Sequence, residues 1–165
     1  MTSVTFKEKP MTLEGNSVKT GQQAPSFTVL APDLSEKTFQ PESGTKTLIS
    51  VVPSVDTSVC DQQTRKLNEA VDQLGDAEIW TVSADLPFAQ RRWCAAADLE
   101  SAHIYSDHRD LDFGTKYGLV MKEMRLLARA VFVVDAQGTV TYSEVVPEVS
   151  SHPDYDKALD ALKQA

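Results

Sequence analysis

The sequence predicts an α/β domain built on a central mixed β-sheet, partly parallel, with helices on its faces. Three observations predict it. Two apolar runs, Leu48-Ile49-Ser50-Val51-Val52 and Ala130-Val131-Phe132-Val133-Val134, read as buried strands. Strand-like and helix-like segments alternate through the middle of the chain, which favours parallel pairing with crossover helices. An Asp135-Ala136-Gln137-Gly138 turn then returns the second run as an antiparallel strand, Thr139 to Ser143. The 165 residues, 41% hydrophobic and 24% charged, suffice for one domain with a sizeable core. No repeat, low-complexity segment or linker divides the chain, so residues 1–165 read as a single domain.

The elements follow in order. Val4 and Phe6, then Met11 and Leu13, flank a polar Lys7-Glu8-Lys9-Pro10 turn, and Gly15-Asn16 offers a second turn. This predicts an N-terminal hairpin extension over 1–17. Gly21 to Pro25 is a loop. Phe27 to Leu30 and Lys37 to Phe39 are short strands around a Pro32-Asp33-Leu34-Ser35 turn. The core strand 47–52 comes next. After it, Leu67, Val71 and Leu74 recur at helical spacing, with Gly75 as the stop. Glu78 to Val82 is a strand. Asp85 is expected to cap a helix that has Pro87 in its first turn and Cys94 near its end. His103 to Tyr105 is a strand, and Leu111 to Tyr117 a short helix ended by Gly118. The second core strand and its hairpin follow. Pro153 starts a closing helix through Ala158, Leu159 and Leu162.

The stretch Pro53-Ser54-Val55-Asp56-Thr57-Ser58-Val59-Cys60 turns from the buried strand into the first long helix. Ser58 with Asp61 fits a capping box, and Thr57 is a competing N-cap. Either choice leaves Cys60 in the first turn. Backbone N–H groups there lack intrahelical partners, and the positive end of the helix dipole is near. Both favour thiolate over thiol and make the sulfur nucleophilic. Asp61 acts against this, so a cation from elsewhere in the chain is needed. Read alone, such a cysteine is also an ordinary packing residue.

The net charge of −8 argues against nucleic acid and against an anionic membrane surface as partners. Met1 to Pro10 has no apolar targeting segment, and no apolar run reaches membrane-spanning length, which suggests a cytoplasmic protein. Cys60 and Cys94 form no Cys-x-x-Cys pair and no zinc-ligand spacing. His103, His108 and His152 show no ligand spacing. Asp107, Asp110 and Asp112 lack the glycine and closing glutamate of a calcium loop. Trp80 reads as core. Tyr117, Leu119, Val120 and Met121 read as core, or as the lining of an apolar channel.

The spacing Pro53-x-x-x-Thr57-x-x-Cys60 resembles the active-site motif of the peroxiredoxins. The longer string Pro-Ser-Val-Asp-Thr-Ser-Val-Cys is similar to the thiol peroxidase branch, the atypical two-cysteine type. The resemblance covers nearly the whole chain and implies a thioredoxin-like fold with an added N-terminal β-hairpin. It implies a peroxidase that reduces hydrogen peroxide and organic hydroperoxides, with Cys60 as the nucleophile. Leu126-Leu127-Ala128-Arg129-Ala130-Val131-Phe132-Val133 resembles the segment that supplies the family's arginine. By that match Pro53, Thr57, Cys60 and Arg129 form the site, with Arg129 expected at a strand end near the sheet edge and Arg125 as the nearby competitor. Cys94 lies 34 residues after Cys60 in an Arg-Arg-Trp-Cys-Ala-Ala-Ala context similar to the family's resolving cysteine. The resemblance then implies an intrachain Cys60–Cys94 disulfide, reduced by thioredoxin. Bonding requires Cβ atoms within about 4.5 Å, so two helical cysteines must unwind locally. The family further implies a homodimer and no metal, haem or flavin cofactor. Two alternatives stay open: a thioredoxin-fold binding module whose cysteines only pack, and a redox sensor that oxidises without efficient turnover.

Overall fold

The computed structural model describes residues 3–99 and 103–165. Residues 1 and 2 of the expected hairpin lie outside the described residues. The chain runs β1 (Ser3–Phe6), β2 (Lys9–Glu14), β3 (Phe27–Leu30), β4 (Glu36–Phe39), β5 (Lys46–Val51), α1 (Ser58–Leu74) and β6 (Ala77–Ser83). It continues with α2 (Pro87–Ala96), β7 (Ile104–Ser106), α3 (Asp112–Tyr117), β8 (Val120–Met121), β9 (Leu126–Leu127), β10 (Ala130–Val134), β11 (Val140–Val145) and α4 (Tyr155–Gln164).

Seven strands form the central sheet in the order β11-β10-β5-β6-β7-β3-β4. β5, β6 and β7 pair in parallel, while β10 is antiparallel to both β5 and β11. The sheet is therefore mixed, as expected. Because side chains alternate across a strand, β5 feeds two cores at once. Leu48 packs under the helices with Leu67, Val71, Ile79, Val131, Val133, Ala158 and Leu162. Ile49 and Val51 face the opposite core with Phe27, Phe113, Tyr117 and Phe132. Fully burying one such side chain contributes roughly 1.5–3 kcal/mol. Buried on both faces, β5 reads as a continuous apolar run rather than an alternating one.

A second sheet, β1-β2-β8-β9, was only half legible. The N-terminal hairpin forms as expected, with Val4 opposite Met11. Its partners β8 and β9 are two residues long, too short to show periodicity, and their turn ends on Arg125 with φ 52° rather than on a glycine. Tyr117, Leu119, Val120 and Met121 are buried in the core. Trp80 packs edge-on against Phe27 and Phe39.

Two helix starts differ from expectation in detail, and at α1 the N-cap is Thr57, one of the two residues expected there. Asp85 does not cap α2. Leu86 holds that position without a side-chain bond, because the Asp85 carboxylate is taken up by donors from the loop before α1. α4 begins after Asp154, whose carboxylate accepts from Lys157 N, so Pro153 precedes the cap. The buried Asp107 carboxylate holds the first turn of α3 through Phe113 N and Gly114 N, and burial still pushes it up to about 6.

The hairpin joins the body through a close approach at Gly15. Its φ is 107°, and a Cβ there would collide with the Thr115 carbonyl oxygen of α3. Gly75, with φ 76°, faces open space. Gly75→Ala is expected to cost about 1–2 kcal/mol, the backbone cost of the left-handed region alone. Gly15→Ala is expected to cost clearly more in urea titrations. Equal costs would mean that the hairpin shifts freely against α3.

Candidate active site

Backbone geometry builds the site from the end of β5. Val52 and Pro53 are buried, and the chain then turns through Ser54 to Thr57 before α1 begins. Pro53 has no N–H to leave unpaired there. The Asp85 carboxylate pins this loop, accepting from Ser54 Oγ at 2.7 Å and from Val55 N at 2.9 Å. Ser83 Oγ donates to the same carboxylate at 2.6 Å. Thr57 is exposed, and its hydroxyl accepts from Cys60 N at 3.3 Å and donates to the Ser54 carbonyl at 3.4 Å. Both bonds are long, so the hydroxyl is lightly held. Cys60 in the first turn is fully buried.

Arg129 reaches this cysteine. The antiparallel register pairs Ala130 with Val51, which sets the preceding residue beside the end of β5 from which the loop departs. Its Nη2 donates to Cys60 Sγ at 3.3 Å, Nη1 to Gln63 Oε1 at 2.9 Å, and Nε to the Val149 carbonyl at 2.7 Å. Arg129 is only 2% exposed. Among the described residues no carboxylate forms an ion pair with it. A buried guanidinium whose other partners are neutral is short of one negative charge. Cys60 Sγ is the remaining partner of the fork. Arg129 stands at a strand end, just before β10, while Arg125, its nearby competitor, is exposed in the β8–β9 turn.

Cys94 sits in the last turns of α2. It is a buried free thiol, as is Cys60, and burial raises its pKa. Both cysteines belong to one apolar cluster with Val52, Val55, Trp93, Ala97 and Ile104. Their sequence neighbours tie the two helices together. Trp93 Nε1 donates to Asp61 Oδ1 at 2.7 Å, and Arg65 Nε to Asp61 Oδ2 at 2.9 Å. The Arg65 guanidinium also lies 5.5 Å from the Trp93 ring centroid. Asp61, expected to oppose the thiolate, has its charge directed to Arg65 and Trp93 instead.

Sequence reading missed Gln63, Asp85 and the Asp61–Trp93 tie. Gln63 is completely buried, and its Nε2 donates to Ser50 Oγ at 2.9 Å. A signal existed: position 63 lies on the same helix stripe as Cys60, Leu67 and Val71, where a surface glutamine does not belong. Asp85 carried no such signal, since an aspartate before proline looks like an ordinary cap. His103, His108 and His152 are exposed. Among the described residues no group of three or more His, Cys, Asp or Glu is placed to hold a metal ion. No helix there is long and apolar enough to cross a membrane.

Comparison with known proteins agrees with this geometry. The Redoxin family model matches residues 19–159. The chain is 60% identical to a thiol peroxidase of Halalkalibacterium halodurans, over 100% of this chain and 99% of that protein. It is 52% identical to a thiol peroxidase of Bacillus subtilis, over 99% and 98%. The crystal structure of a peroxiredoxin-like protein from Aquifex aeolicus superposes with a TM-score of 0.93 at 36% identity, covering 99% of this chain and 97% of that one. A mixed sheet in this strand order, a cysteine at the first turn of α1 and full-length likeness converge: the chain belongs to the redoxin family, in its thiol peroxidase branch, with the thioredoxin-like fold of that family.

Proposed function

We propose that this single-domain chain is a thiol-dependent peroxidase that reduces hydrogen peroxide and organic hydroperoxides. The contact that carries the reading is Arg129 Nη2 on Cys60 Sγ at a helix start. The Cys60 thiolate donates an electron pair to the outer oxygen of ROOH, forming the S–O bond as the O–O bond breaks. The departing RO⁻ takes a proton and leaves as ROH, and Cys60 becomes a sulfenic acid. Negative charge spreads over sulfur and both oxygens as this happens, so fixed donors lower the barrier. Arg129 is one donor, and Thr57 turns its lightly held hydroxyl toward the peroxide. Pro53 shapes the loop and leaves no unpaired N–H in it. The Cys94 thiol then attacks the sulfenic sulfur and expels water, leaving an intrachain Cys60–Cys94 disulfide. A dithiol, thioredoxin in the cytoplasm, restores both thiols by exchange and is itself oxidised. No metal or organic cofactor takes part in these steps. A homodimer formed through loops around the site completes the proposal.

Peroxide consumption with thioredoxin, thioredoxin reductase and NADPH tests the whole cycle. NADPH oxidation should follow added peroxide and vanish in Cys60→Ser. A protein that consumes no peroxide with any dithiol is a binding module instead.

Thr57→Val conserves shape and deletes the hydroxyl. The rate of Cys60 oxidation should fall by on the order of 100-fold, with a much smaller loss of thermal stability. Thr57→Ser should keep much of the rate. Equal oxidation rates for the Val and Ser variants would reduce Thr57 to a helix cap.

A further inference from the structure

Of the three groups that hold the Arg129 guanidinium, the Val149 carbonyl alone belongs to neither a helix nor a strand. The backbone around Val149 is held from the far end of the chain. Val149 N donates to the Thr5 carbonyl at 2.7 Å, and Thr5 N to the Pro147 carbonyl at 2.8 Å. Thr5 and Glu148 thereby form an isolated parallel bridge. On the other side Val146 N donates to the Arg129 carbonyl at 3.0 Å. Residues 146–149 are thus clasped between β1 and the arginine.

Glu148 fastens the clasp. Its carboxylate accepts from Thr5 Oγ1 at 3.0 Å, Glu8 N at 2.8 Å and Lys7 N at 3.3 Å. It also accepts from Ser150 N at 2.7 Å and from Ser150 Oγ. Lys7 and Glu8 form the hairpin turn with φ 50° and 68°, a conformation usually left to Gly or Asn. The Glu148 oxygens meet the amides of those two residues. An ionised acceptor makes such bonds stronger than a neutral one. These bonds hold the carboxyl down at about 2, so it is charged at any working pH.

We infer that the N-terminal hairpin, fastened by Glu148, braces the Val149 carbonyl and so holds the Arg129 guanidinium in line with Cys60. Glu148 is then a positioning residue for the peroxidase step, acting through Arg129. The inference rests on the peroxidase reading for its consequence, though not for its geometry. Hydrogen bonds weaken steeply as their angle opens. A guanidinium is a rigid planar fork, so losing the Nε acceptor tilts the Nη2 donor as well. The hairpin lies outside residues 19–159, the span matched by the family model, yet two hydrogen bonds connect it to the reacting centre.

The test compares wild type, Glu148→Ala, Glu148→Gln, Arg129→Ala and the Glu148→Ala/Arg129→Ala double variant. Two quantities are read: the rate of Cys60 oxidation by hydrogen peroxide, and the pH profile of Cys60 alkylation. Circular dichroism and melting temperature check the fold. Glu148→Ala should slow oxidation by on the order of tenfold, since a small misplacement of a catalytic group carries such a cost. Its alkylation profile should move to higher pH. Glu148→Gln, which keeps one acceptor oxygen and the side-chain volume, should shift both in the same direction by less; it decides the matter if the Ala variant does not fold. In the Arg129→Ala background, Glu148→Ala should add nothing, as expected for two residues acting through one contact. Wild-type rates and profile in both Glu148 variants overturn the inference. So does a Glu148 effect that multiplies with that of Arg129→Ala, or an Arg129→Ala variant with an unshifted profile. The alkylation profile needs no peroxide. A wild type inert to peroxide, with the alkylation profile still shifted in the Glu148 variants, would therefore overturn the peroxidase reading and leave the brace standing.

Discussion

A buried guanidinium needs a counter-charge, and among the described residues the cysteine sulfur is the one group positioned to give it. Arg129 is almost wholly enclosed, and besides Cys60 its donors go to a glutamine oxygen and a backbone carbonyl. Both are neutral. Removing a charge from water costs several kcal/mol unless it is paired and hydrogen-bonded. In the proposed reaction the same guanidinium faces the negative charge that develops on sulfur and oxygen. Much of the surrounding fold serves that one contact. The β10–β5 register brings Arg129 to the end of β5, Gln63 braces it from α1, and the segment at Val149 braces it from the other side.

The resting site is closed, and its closure belongs to the chemistry. Cys60 is fully buried and Cys94 nearly so, each in a helix, in one apolar cluster. The bonds of Asp61 to Trp93 and of Asp85 to the 54–55 loop join the elements that carry the two cysteines. In the proposed cycle these ties must yield before the second step, because a disulfide needs both Cβ atoms at bonding distance. The end of α2 is the natural place to yield. It is a ten-residue helix whose start carries no side-chain cap bond, and beyond its C-cap Asp98 has a φ of 58°. Burial raises the pKa of the Cys94 thiol.

Sequence patterns reached the parts of this protein that repeat a period or fill a known turn. The two apolar runs, the α1 stripe ending on Gly75 and the Asp135–Gly138 turn all carried their structure openly. So did the loop and helix start around Cys60. What escaped was held by single contacts between distant residues. β8 and β9 are too short for any period. Asp85 had a plausible local job as a cap and took a distant one, because three donors converge on it from outside its helix. Arg129 was found through its sequence context, while the braces that aim it, Gln63 and Val149, were not. One is a buried polar residue on an apolar stripe, and the other acts through a backbone carbonyl, which no side-chain pattern can announce.

In the proposed cycle Cys60 and Cys94 of one chain pass through a sulfenic acid to a disulfide. Intact mass of the reduced protein, before and after one equivalent of hydrogen peroxide, reads this directly when paired with a non-reducing gel. The expected result is a loss of two hydrogens at monomer mass, with both thiols gone and peptides containing Cys60 and Cys94 linked. A disulfide-linked dimer would contradict resolution within the chain. An unchanged mass, with both thiols still titrating, would contradict the peroxidase account itself.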